Sequence, residues 1–259
     1  MTALTPTSTP NVNQLVLVTG AAGGLGRAVI QTVQRAGAQV AVVSRDPARL
    51  AQLADFDNVA IAIEADVSTP EGAALVFSRL KDAGLCADAM VHCAGQAFIA
   101  PLHRTNVEQY RACLAANLDS AFFTLQGFID AARAAQKPGA VVMVSTVAAR
   151  IGTPNHEAVA AAKGGIEALV RSAAATYAAS GIRVNAVAPG MMDTPGVAKF
   201  ISSAPMREGA ARQYPLGGIG SAEELAELIG YLIAPQAARI TGQVWALDGG
   251  FSSIRPLVK

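Results

Sequence analysis

Six short apolar runs, most of them rich in β-branched residues, recur along the chain: LVLVT at 15–19, QVAVVS at 39–44, VAIAIEAD at 59–66, DAMVHCAG at 88–95, AVVMVST at 140–146 and IRVNAVAPG at 182–190. Most are apolar at successive positions instead of alternating, the pattern of strands buried on both faces. Amphipathic stretches separate them, beginning with RAVIQTVQRAGA after the first run. Strands that alternate with helices predict an α/β architecture, a single-domain Rossmann-type doubly wound parallel sheet flanked by helices. The two strongest helical stretches are 107–135 and 155–179, both loaded with Ala, Gly and Ser. Small-residue faces let helices approach closely, so a homotetramer or homodimer is expected.

Between Pro189 and Gly220 no clear strand is visible, and Pro, Gly and Met recur. A long irregular segment at the carboxyl ends of the strands reads as a mobile substrate lid. Residues 1–13 are Thr-, Ser- and Pro-rich without period and read as a flexible tail, which leaves 14–259 as one dinucleotide-binding domain. At 259 residues and 52% apolar content the chain can bury one large core.

Charge narrows the partners. Lys and Arg number 20 against 19 Asp and Glu, a formal net charge of +1. That balance gives no electrostatic footprint for nucleic acid or for an anionic membrane, so neither is expected as a partner. The cysteines, Cys86, Cys93 and Cys113, are odd in number without CxxC spacing, and no charged and apolar leader opens the chain. No run of roughly 20 predominantly Leu, Ile, Val or Phe residues suggests a membrane span. A cytoplasmic protein without a metal is expected.

TGAAGGLG, Thr19 to Gly26, lies where the first strand gives way to the first helix. Gly20, Gly24 and Gly26 allow a tight turn and close approach to a pyrophosphate, whose charge is stabilised at the helix N-terminus beside Leu25. About 20 residues on, an acidic group at the end of the second strand would bond a ribose 2′-hydroxyl, whereas a basic one accepts a 2′-phosphate. Ser44-Arg45 occupies that strand end, and a guanidinium holds phosphate bidentately, so NADP(H) is expected in preference to NAD(H). Gly23 stands where a second basic residue often sits in such loops.

With these motifs the chain resembles the classical short-chain dehydrogenase/reductase superfamily over roughly residues 14–250. TGAAGGLG resembles its TGxxxGxG motif, and Asp66-Val67 the pair that meets the adenine. VHCAGQ resembles the NNAG segment, with His92 and Cys93 in the asparagine places ahead of Ala94 and Gly95. Asn117 matches the helix asparagine of the proton relay, and Lys163 the lysine that binds the nicotinamide ribose. PGMMDT resembles the turn in which Pro189 and Gly190 precede a threonine, here Thr194, that meets the carboxamide. YPLGGIGSAEELAELIGYLI and ITGQVWALDGG resemble the closing helix and strand used in tetramers.

The departures fall at the reaction centre. Thr146 takes the place of the family's catalytic serine, and a threonine hydroxyl still donates and accepts a hydrogen bond. Val159 takes the place of the proton-moving tyrosine and has no proton to give. Positions four apart share a helix face, so Val159 and Lys163 point at the same object. Tyr177 lies 18 residues on, roughly 27 Å along a helix, and cannot substitute. His156, at the entry to the same helix, is the replacement candidate, because an imidazole exchanges protons near neutral pH. Two readings stay open. One is an oxidoreductase of a small-molecule carbonyl or alcohol whose proton comes from His156, Thr146 or relayed water. The other is a protein that binds the dinucleotide without turnover, as a sensor, scaffold or partner subunit.

Overall fold

The computed structural model describes residues 14–53, 56–198 and 201–255; the tail expected over 1–13 lies outside these residues. The chain runs through β1 (Leu15–Thr19), α1 (Gly24–Arg35), β2 (Gln39–Ser44), α2 (Pro47–Ala51), β3 (Val59–Glu64), α3 (Pro70–Asp82) and β4 (Ala89–His92). It continues with α4 (Val107–Leu114), α5 (Ser120–Ala134), β5 (Gly139–Val144), α6 (Glu157–Tyr177) and β6 (Ile182–Pro189). β7 (Met192–Asp193), α7 (Ala204–Ala211), β8 (Gly220–Ser221), α8 (Ala222–Ile233) and β9 (Val244–Leu247) follow. Seven strands form one parallel sheet in the order β3-β2-β1-β4-β5-β6-β9.

The strand order reverses between β1 and β4, so crossovers leave in opposite directions and open a crevice beyond the carboxyl ends of those two strands. Alternate residues of each strand face opposite layers. Leu17, Met90 and Val141 join Phe128 of α5 and Ile166 of α6 on one side. Val16, Val18 and Val91 join Ile30 of α1 and Ile229 of α8 on the other. Each such side chain contributes roughly 1.5–3 kcal/mol by leaving water. Two cores thus cover the two faces of one sheet.

Local signals fix where the helices begin. Thr69 caps α3 by accepting from the Gly72 amide, with Pro70 in the first turn. Asn106 with Gln109, and Ser221 with Glu224, form capping boxes at α4 and α8. The helix expected over 107–135 is continuous but contains one wide turn, Ala115–Asp119, in π-helical geometry between α4 and α5. Such bulges re-aim side chains within a helix, and this one carries Asn117. By length and composition the run Val107–Ala134 could cross a bilayer. Here Leu125, Phe128, Ile129 and Ala132 of that run are packed in the core.

The described residues of the segment between Pro189 and Gly220, expected as a lid, hold more structure than their sequence suggests. β7 and β8 pair in parallel, Met192 with Gly220 and Asp193 with Ser221. Arg207 on α7 grips the Asp193 carboxylate with both nitrogens, at 2.6 and 3.2 Å. A two-residue strand is too short to show periodicity, which is why the sequence pattern misses it.

Candidate active site

The crevice divides into a narrow cleft along the ends of β1, β2 and β4 and a wider chamber between β5, α6 and the lid. The cleft, about 280 Å³, is lined by Gly20, Ser44, Arg45, Asp66, Val67, Cys93, Ala94 and Gly95 among others. Gly20 has φ +64°, and a Cβ there would come within 2.6 Å of the Ala94 nitrogen. The turn after β1 is therefore pressed onto the chain after β4. Gly26 fits against Gly20 and Ala21 backbone in the same turn, and Gly24 packs on Thr194 and Pro195 of the lid. No side chain caps α1 and no acid lies in its first turn, so the positive helix end is left for an anionic ligand. These features fit a dinucleotide pyrophosphate.

The cleft's far end is basic. Arg45 lines it, and so does Arg49 of α2, whose guanidinium donates to the Ala22 carbonyl at 2.7 Å. Asp46 lies between them but its carboxylate is engaged in capping α2, accepting from the Arg49 amide at 3.1 Å. Asp66 accepts from the Ser68 hydroxyl at 2.7 Å and from its amide at 3.0 Å. That hydroxyl bond, assisted by the amide and by Arg45, holds the Asp66 carboxyl below its ordinary range against the effect of partial burial.

His92, at the end of β4, is fully buried. Its Nδ1 lies 2.9 Å from Thr19 Oγ1 and 3.0 Å from Thr124 Oγ1, and its Nε2 lies 3.1 Å from Ser120 Oγ. Ser120 and Thr124 each have a backbone carbonyl to donate to. The network closes if Nε2 carries the proton and Thr19 donates to Nδ1. Burial, with the Lys163 charge nearby, pushes the His92 pKa down to about 3. It is a neutral strut tying β1, β4 and α5 together.

The chamber, about 710 Å³, brings Asn117, Thr146, His156, Val159 and Lys163 into one space with Leu25, Pro189, Gly190 and Thr194. Lys163 donates from Nζ to the Val144 carbonyl at 2.8 Å. Burial lowers its pKa to about 8, with the Cys93 and Cys113 thiols acting the other way. Asn117 clamps the segment after β4: its Oδ1 accepts from the Gln96 amide and its Nδ2 donates to the Gln96 carbonyl, both at 3.1 Å. Gly95 makes that clamp possible. A Cβ on Gly95, at φ +155°, would lie 2.7 Å from Asn117 Oδ1 and 3.2 Å from Lys163 Nζ.

Two hydroxyls end β5, and they are used differently. Ser145 donates to Glu167 Oε1 at 3.0 Å and so is engaged by α6. Thr146 accepts from the Ala148 amide at 3.3 Å, which leaves its own proton available to the chamber. His156 holds its Nδ1 2.7 Å from the Pro154 carbonyl, so Nδ1 donates there and Nε2 is the free ring nitrogen. Val159 is 6% exposed and packs with Cys113, Ala158 and Phe98 as apolar wall.

Residues 20–252 match the family described as enoyl-(acyl carrier protein) reductase. The chain is 36% identical over 247 residues to cis-4-hydroxycyclohexanecarboxylate dehydrogenase of Sinomonas cyclohexanicum, covering 93% of this chain and 97% of that one. It belongs to the short-chain dehydrogenase/reductase superfamily. A second relative, 32% identical over 229 residues, is the inactive 2-(S)-hydroxypropyl-CoM dehydrogenase 2 of Xanthobacter autotrophicus; the match covers 85% of this chain and 97% of that one. A solved short-chain type dehydrogenase/reductase from Mycobacterium ulcerans superposes with a TM-score of 0.87 at 28% identity, covering 93% of this chain and 90% of that one.

Superfamily membership places this chain among nicotinamide-dependent oxidoreductases, and the cleft and chamber together form the candidate site. Sequence reasoning passed over two residues of that site. Arg49 was legible only as a basic residue one turn after Arg45, and its reach back to the glycine loop depends on the cap by Asp46. Tyr214 follows the lid helix α7; its hydroxyl accepts from the Met191 amide at 2.7 Å and its ring lies 5.3 Å from that of Phe251. Burial raises the Tyr214 pKa. No local signal places a residue of an irregular segment over a chamber built by distant strands.

Proposed function

We propose that the chain is an NADP(H)-preferring oxidoreductase that interconverts a small-molecule alcohol and carbonyl, with a group other than tyrosine moving the proton. The observation that carries this reading is the meeting of Asn117, Thr146, His156 and Lys163 in one chamber continuous with the basic cleft. The relatives' names support the alcohol and carbonyl class. When bound, the nicotinamide cofactor supplies or accepts hydride. The chain's own residues do the rest. The α1 N-terminus and glycine turn hold the pyrophosphate, Arg45 and Arg49 take the 2′-phosphate, and Asp66 and Val67 flank the adenine. Lys163 binds the nicotinamide ribose, and Pro189, Gly190 and Thr194 face the carboxamide end.

Thr146 donates a hydrogen bond to the substrate oxygen and orients it. His156 Nε2 exchanges the proton, since its other nitrogen is occupied by Pro154 and it stands at the chamber wall. A positioned acid of this kind contributes roughly 10²–10⁴-fold. We further propose a cytoplasmic homotetramer or homodimer.

The cofactor preference is tested by calorimetric titration of NADPH and NADH into wild type and Arg45→Ala. NADPH binds more tightly to wild type, and Arg45→Ala loses roughly 1.5–3 kcal/mol of NADPH affinity with NADH unaffected. Equal wild-type affinities would remove the preference. A second reading, cofactor binding without turnover, is favoured by one observation. Val159 fills the tyrosine place with a buried isopropyl group. Oxidation of bound NADPH by carbonyl compounds separates the two.

A further inference from the structure

The chamber's chemistry also points to its substrate. Its lining contains no aspartate, glutamate or arginine among the described residues, and its groups able to carry positive charge are Lys163 and His156. Three arginines on neighbouring segments are engaged elsewhere. Arg150 pairs with Glu167 at 3.4 Å, Arg207 with Asp193 at 2.6 Å and Arg212 with Glu208 at 2.5 Å. Lys163 is fixed on the Val144 carbonyl and, in the reading above, on the nicotinamide ribose. Much of the lining is apolar, Phe98, Ile99, Met191, Val197 and Phe251 among it. Val159 extends that wall towards the reacting end, where a phenol would have offered a polar face.

A carboxylate taken from water into this space would meet no guanidinium, and the Lys163 ammonium is already held by the Val144 carbonyl, so the charge is poorly compensated and costly to bury. An uncharged body meets dispersion contacts with these apolar side chains and needs one polar interaction, at its oxygen, from Thr146. The volume, about 710 Å³, lies within the range of small-molecule sites, about 300–1,000 Å³, and must hold the nicotinamide end as well. We propose that the chamber selects an uncharged, ring-sized apolar ketone or its secondary alcohol and rejects the corresponding carboxylate. This inference rests on the alcohol and carbonyl reading of the site.

The test uses protein loaded with 1,4,5,6-tetrahydro-NADP, whose uncharged ring has no hydride to give to a ketone, so binding is measured without turnover. Calorimetry compares methyl 4-acetylbenzoate with 4-acetylbenzoate, two ketones that share a ring and differ by a charge. The ester binds at least tenfold more tightly. Val197→Arg places a guanidinium on the lid side and shrinks or reverses that ratio. Equal affinities, tighter binding of the acid, or no binding of either ketone overturns the inference. If the ester is preferred yet bound NADPH is never oxidised by any carbonyl, the inference on selection stands and the catalytic reading fails. Equal turnover of both ketones has the opposite meaning.

Discussion

His92 and Val159 are both apolar-site solutions to positions where a polar group is expected, and they act on different properties. His92 is held neutral by burial, with a pKa near 3 in the fold against an ordinary value of 6.5. The unfolded chain therefore binds a proton between those values that the native chain does not, so stability is full above pH 6.5 and falls as the pH drops. Between pH 6.5 and 5 this group costs roughly 2 kcal/mol of unfolding free energy at 1.36 kcal/mol per unit. Urea denaturation at the two pH values measures it, and in His92→Asn that part of the slope disappears. A wild-type slope unchanged by His92→Asn would show that the histidine is not the source. Val159, by contrast, is a question of rate. On α6 it shares a face with Lys163, whose ammonium would stabilise a phenolate placed there.

At the scale of elements, the site depends on a clamp between the segment after β4 and the wide turn joining α4 to α5. Asn117 holds both backbone groups of Gln96, and Gly95 leaves the room it needs. Gly95→Ala inserts a Cβ at 2.7 Å from Asn117 Oδ1 in a backbone conformation that an L-residue rarely adopts. It is expected to destabilise the fold by about 1–3 kcal/mol and to weaken cofactor binding, read from a thermal melt and an NADPH titration. A variant with wild-type stability and affinity would show that the clamp has slack. The six main strands were legible as short continuous apolar runs and the long helices from periodicity over many residues, and Gly20 to Gly26 because the turn chemistry is local. The π turn around Asn117 left no mark, since Ala115 to Asp119 reads as ordinary helix. The β7–β8 pair and the roles of Arg49 and Tyr214 depend on contacts between segments far apart in sequence, which no window on the sequence contains.

For the whole molecule, the surface adds to the expectation of assembly. Val107, Tyr110 and Phe122 are exposed on the α4–α5 helices, and Tyr231 and Trp245 on α8 and the edge strand β9. Large apolar groups exposed on α4, α5, α8 and β9 suit a closed homo-oligomer. Light scattering at micromolar concentration is expected to give a dimer or tetramer of the 26.4 kDa chain, and a monomer would contradict it. We propose that this superfamily member transfers hydride and moves the accompanying proton without a tyrosine. Single-turnover oxidation of bound NADPH, followed across a panel of ketones and aldehydes in wild type, His156→Ala, Tyr214→Phe and Val159→Tyr, tests it most directly. Oxidation is expected in wild type, with a fall of about 10²-fold in His156→Ala, little change in Tyr214→Phe and a rise in Val159→Tyr. Oxidation by Val159→Tyr alone, with none in wild type for any carbonyl, would contradict it and make the chain a cofactor-binding protein without turnover.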